Sequence, residues 1–156
     1  MRLKNILFVV EDIEKSKKFY QELFGLYVIT DFGGNVIMSE GLVLQEKTIW
    51  KNFIGKDVVA RGNDAELYFE ENDMDGFILK LKNSSYNIEY VNEPMVHDWG
   101  QRVIRIYDLD GHIIEIGESM QNVVRRLHDE GMTIEQVANK TQLPVDNVET
   151  IINAIR

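Results

Sequence analysis

One succession of elements occurs twice in this chain, and it narrows the possible folds more than any other feature. Residues 3–46 read as a strand, a helix and three strands, and residues 65–118 read the same way. In the first half, residues 3–10 are apolar on both faces except at Lys4 and Asn5. Asp12 can cap a helix with Glu14 in its first turn, and Ile13, Ser16, Phe19, Tyr20, Leu23 and Phe24 fall on one face before Gly25 ends it. Strands are expected at 27–31, 35–39 and 42–46, separated by Gly33-Gly34 and Gly41. In the second half, 65–70 is a strand pattern and Asp73 can cap a helix. Met74, Phe77, Ile78 and Leu81 make that helix's apolar face, and 88–91 is a further strand. A shift of 61 residues takes Asn5 to Glu66, Phe8 to Phe69, Asp12 to Asp73 and Ile13 to Met74.

The second half closes on YDLDGHIIEIGE, residues 107–118. Asp108, Asp110 and Gly111 form a tight turn, because aspartates bond nearby backbone and glycine supplies a positive φ. The flanking β-branched and aromatic residues make a hairpin. Glu115 has an isoleucine on either side and shares a face with Ile113 and Gly117. With both faces so apolar, its carboxylate is expected inside the protein and in need of a cation, a donor or a proton. A solvated sheet face is the bland alternative. The turn is no calcium loop, since the pattern would start at Ile106 and end at Gly117. Gln45 holds the corresponding late-strand place in the first half. Asn5, Gln45, Glu66 and Glu115 thus form two repeat-related pairs that could converge in one cavity.

Composition removes whole classes of function. There is no cysteine, so disulfides, zinc–thiolate sites and cysteine nucleophiles are excluded. The N-terminal apolar run is too short for a signal peptide or membrane span, so a cytoplasmic protein without a membrane partner is expected. A formal net charge of −9 disfavours nucleic acid and anionic membranes. Residues 47–63 show no clean period and read as a loop with a helical turn, either covering a site or simply connecting the halves.

The opening VVEDIEKSKKFYQELFGL and the closing DLDGHIIEIGE resemble the signatures of the glyoxalase / bleomycin-resistance / extradiol-dioxygenase superfamily, the vicinal oxygen chelate proteins. The resemblance covers residues 1 to about 119. It implies an α+β fold in which two βαβββ modules, about 1–46 and 64–118, wrap a cupped, mostly antiparallel sheet around a pocket, with 120–156 as a C-terminal helical appendage. It also implies metal ligands at Asn5, Gln45, Glu66 and Glu115. The family usually supplies histidine there, and this chain supplies none: His97, His112 and His128 lie elsewhere. The oxygen-only set suits hard ions such as Mg²⁺, Mn²⁺ or Ca²⁺. A divalent cation (Mg²⁺, Mn²⁺ or Ni²⁺) is the cofactor expectation, weakened by the missing histidines. Without a metal, Glu66 and Glu115 would repel and share a proton unless Arg105 or Arg102 paired with one of them.

The activity that the resemblance implies is that of a glyoxalase I-like lyase or isomerase acting on a small oxygenated substrate, with Glu66 and Glu115 as catalytic carboxylates. A homodimer is expected. The rival is a metal-free sequestering protein like the bleomycin-resistance branch, binding a cationic or aromatic molecule. A regulatory sensor acting through the tail stands third. Trp50, Phe53, Tyr68, Trp99 and Arg105 are the candidate substrate-binding residues, against ordinary core packing for some of the aromatics. His97 beside Asp98 lacks a serine for a triad. Residues 120–156 read as three helices, with a Thr133–Gln136 capping box and Pro144 at a helix start. Their later part is similar to helix-turn-helix segments, but four basic residues against five acids do not make a DNA-reading stripe. Packing against the main domain or a second subunit is the preferred reading.

Overall fold

Ile6–Val10 (β1) begins the fold, and Asp12 stops it by capping the helix that comes next. The Asp12 carboxylate accepts from the Lys15 backbone N–H at 3.1 Å, which satisfies one of the donors a helix start leaves open. The helix, Ile13–Phe24 (α1), buries Ile13, Ser16, Phe19, Tyr20 and Leu23. Gly25 closes it at φ 70°, a left-handed conformation that glycine adopts without strain. Val28–Asp31 (β2), Asn35–Met38 (β3) and Leu42–Glu46 (β4) come after it, with a 3-10 turn at Ser39–Gly41. The sheet order is β1-β4-β3-β2, with β1 parallel to β4 and the other neighbours antiparallel. Phe8, Val10, Val36, Met38 and Leu44 are buried with the apolar side of α1.

The computed structural model describes residues 1–154 and divides into two units. The first comprises Met1–Glu66 with Tyr107–Ile113, and the second comprises Leu67–Ile106 with Ile114 onward. In the first unit, 55–63 is loop, and the helical turn expected within 47–63 extends to an eight-residue helix, Lys47–Ile54 (α2). Its start is written in Glu46, whose carboxylate accepts from the N–H groups of Thr48 and Ile49, both at 2.8 Å. Its end is Gly55 at φ 64°. Caps rather than an apolar period define this short helix, and no residue in it is fully buried.

Along the second half of the chain the same order returns: Glu66–Glu71 (β5), Met74–Asn83 (α3), Met95–Val96 (β6), Arg102–Tyr107 (β7) and Ile113–Glu118 (β8). The sheet order β5-β8-β7-β6 reproduces that of the first module. Asp73 caps α3 by accepting from Gly76 N–H at 2.9 Å, as Asp12 caps α1. The strand expected at 88–91 shrinks to one bridge, Tyr90 to Ile106, and the edge strand is Met95–Val96. Apolar alternation there is a local signal, whereas a strand also needs a neighbour in register.

Three helices end the described chain: Met120–Asp129 (α4), Ile134–Thr141 (α5) and Val145–Asn153 (α6). Both halves of the Thr133–Gln136 capping box form. Val123, Val124, Leu127, Val137, Ala138 and Val148 make their common core. Glu118, 2% exposed, accepts from Arg102 Nη2 at 3.0 Å and Arg126 Nη2 at 2.9 Å, which ties α4 to the second sheet. The fold is therefore α+β, with the βαβββ order present twice and helices at the C-terminus. Among the described residues, no helix is long and apolar enough to cross a membrane.

Candidate functional site

Strand alternation puts Ile113, Glu115 and Gly117 on one face of β8. Gly117 shows what crowds that face: a Cβ there would stand 2.6 Å from Tyr68 Oη and 3.0 Å from Gln101 Nε2. A side chain at 117 would push both away, so glycine is the residue that lets them close over the strand. Gln101 is buried and fully engaged. Its Nε2 donates to Tyr68 Oη at 3.1 Å and to the Glu118 carbonyl at 2.9 Å, and its Oε1 accepts from Trp99 Nε1 at 3.0 Å. The His97 ring stacks on Trp99 with centroids 4.2 Å apart.

Tyr68 is half exposed, and partial burial raises its hydroxyl pKa above the usual 10. It therefore stays protonated at neutral pH. Because its oxygen accepts from Gln101, its own O–H remains able to donate to a bound molecule. Glu115 is buried at 8% exposure, as its apolar neighbours predict. The Arg105 guanidinium, through Nη2, forms an ion pair with its carboxylate, and Arg105 Nη1 lies 3.5 Å from Met95 Sδ. Desolvation of the carboxylate is thus offset by a fixed cation on the neighbouring strand.

The structure brings Tyr68, Trp99, Arg105 and Glu115 together within the second unit. It places Asn5, Gln45, Trp50, Phe53 and Glu66 in the first. Asn5 is exposed just before β1, its Nδ2 3.4 Å from the Gly41 carbonyl. Gln45, 2% exposed, pairs across the sheet with Val9, whereas Ile6, next to Asn5, pairs with Leu42. Asn5 and Gln45 are thus about four rungs apart, roughly 13 Å along the strands. The Gln45 carboxamide is engaged internally, accepting from Asn35 Nδ2 at 2.8 Å and donating to the Gly34 carbonyl at 2.7 Å. Trp50 and Phe53 lie on α2, with Phe53 71% exposed, and Glu66 opens β5 in an exposed position.

These donors do not fit a resident divalent ion. Asn5 and Gln45 are too far apart along the sheet to share one, and Arg105 already holds the Glu115 carboxylate. Among the described residues, no three His, Cys, Asp or Glu side chains assemble into a metal-holding group.

A second polar cluster, in the first unit, is structural. Asp108 accepts from Tyr20 Oη at 2.7 Å, from the N–H groups of Asp110 and His112 at 2.9 and 2.8 Å, and pairs with His112 Nδ1 at 2.8 Å. His112 stacks on Phe8 with centroids 4.1 Å apart. This cluster fixes the hairpin tip against α1, which is what the aspartates of the 107–118 stretch and the Tyr20 of α1 are for. Sequence reasoning puts Gln101 among the residues edging a pocket but gives it no partners, and it gives Gly117 no role. Only a glycine inside a strand pattern signalled the close approach at 117.

A model of the glyoxalase-like domain matches residues 3–121. This chain belongs to the glyoxalase-like family. Among solved structures, a protein of unknown function from Agrobacterium tumefaciens str. C58 is 34% identical, with a TM-score of 0.64 over 76% of this chain and 94% of that one. The fosfomycin resistance protein FosX from Listeria monocytogenes is 21% identical, with a TM-score of 0.58 over 76% and 93%. A glyoxalase/bleomycin resistance protein/dioxygenase from Nocardioides is 18% identical, with a TM-score of 0.59 over 76% and 83%. The last two share the fold. Comparison with curated proteins gives no match.

Proposed function

We propose that this chain binds a small organic molecule on the second-module sheet face without a resident metal ion. The observation that carries this reading is the Arg105–Glu115 ion pair, which occupies the carboxylate that the resemblance assigns to a metal. Tyr68 O–H and Arg105 offer donors to a carbonyl or hydroxyl oxygen, and Trp99 offers an apolar wall. Glu70 and Glu115 both bear electrostatically on Tyr68, so the surroundings favour a neutral or cationic ligand over an anion. Sequestration, the rival that the sequence offers, is thus preferred over metal-assisted catalysis.

Its test is a ligand panel containing bleomycin, fosfomycin and the glutathione–methylglyoxal adduct, titrated in chelator while the two-dimensional amide spectrum is followed. Binding that persists in chelator and weakens about tenfold in Tyr68→Phe or Glu115→Gln supports the reading. Binding restored only by a divalent ion contradicts it.

A second reading is favoured by the burial of Glu115 behind a single arginine. A ligand oxygen that drew Arg105 away would free the carboxylate to move a proton next to a carbonyl, as a lyase or isomerase requires. Chelator-resistant turnover lost in Glu115→Gln separates it from plain binding. Glu66, exposed at the start of β5, is the other candidate carboxylate, and Trp50 and Phe53 the other candidate ligand contacts. A homodimer accords with Tyr27, Val28, Ile29 and Phe32, which expose apolar surface at the β2 edge. Sedimentation checks it.

A further inference from the structure

The C-terminal helices do more than pack on one another. Gly100 sits against α4 and α5: a Cβ there would meet Leu127 Cδ1 at 3.2 Å, Lys140 Cε at 3.4 Å and Val123 Cγ1 at 3.5 Å. Arg126 Nη2 donates to the Gly100 carbonyl at 2.6 Å, and Lys140 Nζ to the Asp98 carbonyl at 3.2 Å. Together these contacts clamp the loop that carries Trp99 and Gln101 onto the helices. Between that loop and the α5–α6 turn lies a cavity of about 390 Å³ lined by Trp99, Gln101, Met120, Thr141, Gln142 and Leu143, all in the second unit.

The chemistry of this lining is specific. None of the six residues carries a charge, and the indole, the thioether and the leucine give it an apolar wall. Trp99 N–H and both Gln101 donors are already engaged, and Thr141 Oγ1 donates to the Val137 carbonyl at 2.8 Å. What remains is the Gln142 carboxamide, which makes no hydrogen bond to another described residue. Gln142 adopts φ 60° at the α5 C-cap, where glycine would be unstrained. A side chain is kept there at a cost, and it stands on the rim of the cavity.

We propose that this cavity is a second small-molecule site, taking a neutral, flat aromatic compound that stacks on Trp99 and hydrogen-bonds the Gln142 amide. Its volume suits a bicyclic ligand. The site is distinct from the sheet face, although Trp99 and Gln101 border both; Gln142 and Leu143 belong to this cavity and not to the sheet face, so substitutions there test it separately from the function proposed above.

Coumarin is a suitable probe, being uncharged and bicyclic with one carbonyl acceptor. In Trp50→Phe, the remaining indole is Trp99. Coumarin is expected to quench its fluorescence saturably and to shift its indole N–H resonance, with a Kd below about 1 mM. Leu143→Gln should weaken binding at least about tenfold by making the wall polar. Gln142→Gly should weaken it about threefold to tenfold, while relieving the strained φ and so leaving thermal stability unchanged or raised. Coumarin-3-carboxylate should bind at least about tenfold more weakly, because the lining offers its charge no partner. Absence of a saturable Trp99 response up to about 5 mM coumarin would overturn the proposal. So would equal affinity in the Gln142→Gly protein, which keeps the fold and removes only the amide.

Discussion

The two modules obey the same rules at the start and part company at the end. Each opens with a strand halted by an aspartate that caps a helix, and each sheet has its fourth strand beside its first. On the last strands the similarity stops. Gln45 is neutral and held by neighbours on its own sheet, whereas Glu115 is charged and held by an arginine from the next strand. The second module alone continues into helices bound through a buried ion cluster at Glu118. Elements that define the fold repeat because the backbone demands them; the polar groups able to meet a ligand differ between the repeats. Chemistry belongs to sites placed on a fold, not to the fold.

The largest effect should come from the cluster that has no counterpart in the first module. Glu118→Ala removes the buried partner that Arg102 and Arg126 share; both arginines are partly exposed and keep Asp75 and Glu130, so the loss should be about 3 kcal/mol in denaturant unfolding, with the helical tail loosening first in hydrogen exchange. A loss of under about 1 kcal/mol would mean that the tail does not depend on this anchor.

Exchanging the late-strand residues should sharpen the contrast further. Gln45→Glu places a buried carboxylate against the Gly34 carbonyl, which Gln45 Nε2 donates to at 2.7 Å, a cost of about 2–3 kcal/mol. Glu115→Gln removes the charge that faces a partly exposed Arg105 and should cost less, about 1–2 kcal/mol. Equal costs in the two would erase the distinction. The caps, by contrast, should behave alike: Asp12→Ala and Asp73→Ala are each expected to lower stability by about 1 kcal/mol.

Acid should expose a subtler difference. Burial pushes the Glu118 carboxyl up, but hydrogen bonds from Arg126 and Arg102 outweigh it and leave the pKa below its usual 4.5. Asp108 is likewise pushed up by burial and drawn net below 3.8 by His112 and Tyr20. Both therefore contribute stability that is complete above those ordinary values and fades as the pH falls through the lowered ones. Asp110 runs the other way: burial raises it above 3.8, so its contribution is present below that value and is lost as the pH rises through the raised one. Asp110→Asn should leave acid stability unchanged and slightly raise stability at neutral pH, readable as a small increase in melting temperature.

Most of the architecture was legible because its signals are local. Asp12, Gly25, Asp73, Thr133 and the Asp108–Gly111 turn act on backbone within a few residues, and each does what its type predicts. Two elements were read only in part, each for its own reason. The α2 helix is specified by Glu46 and Gly55 rather than by periodicity, and the 88–91 pattern found only one partner rung. The candidate site was half legible. Burial of Glu115 could be inferred from its isoleucine neighbours, and a pairing of Glu66 or Glu115 with Arg105 or Arg102 from the cost of a lone carboxylate. The roles of Gln101 and Gly117 depend on contacts from residues 16 to 49 positions away, which no local pattern encodes.

The central claim is that Arg105, not a metal ion, neutralises Glu115. Calorimetric titration of chelator-stripped protein with Mn²⁺, Mg²⁺, Ni²⁺ and Zn²⁺, beside Glu115→Ala, puts it directly at risk. The account predicts no ion uptake that the substitution removes. Micromolar binding of any one ion, abolished by Glu115→Ala, would contradict it.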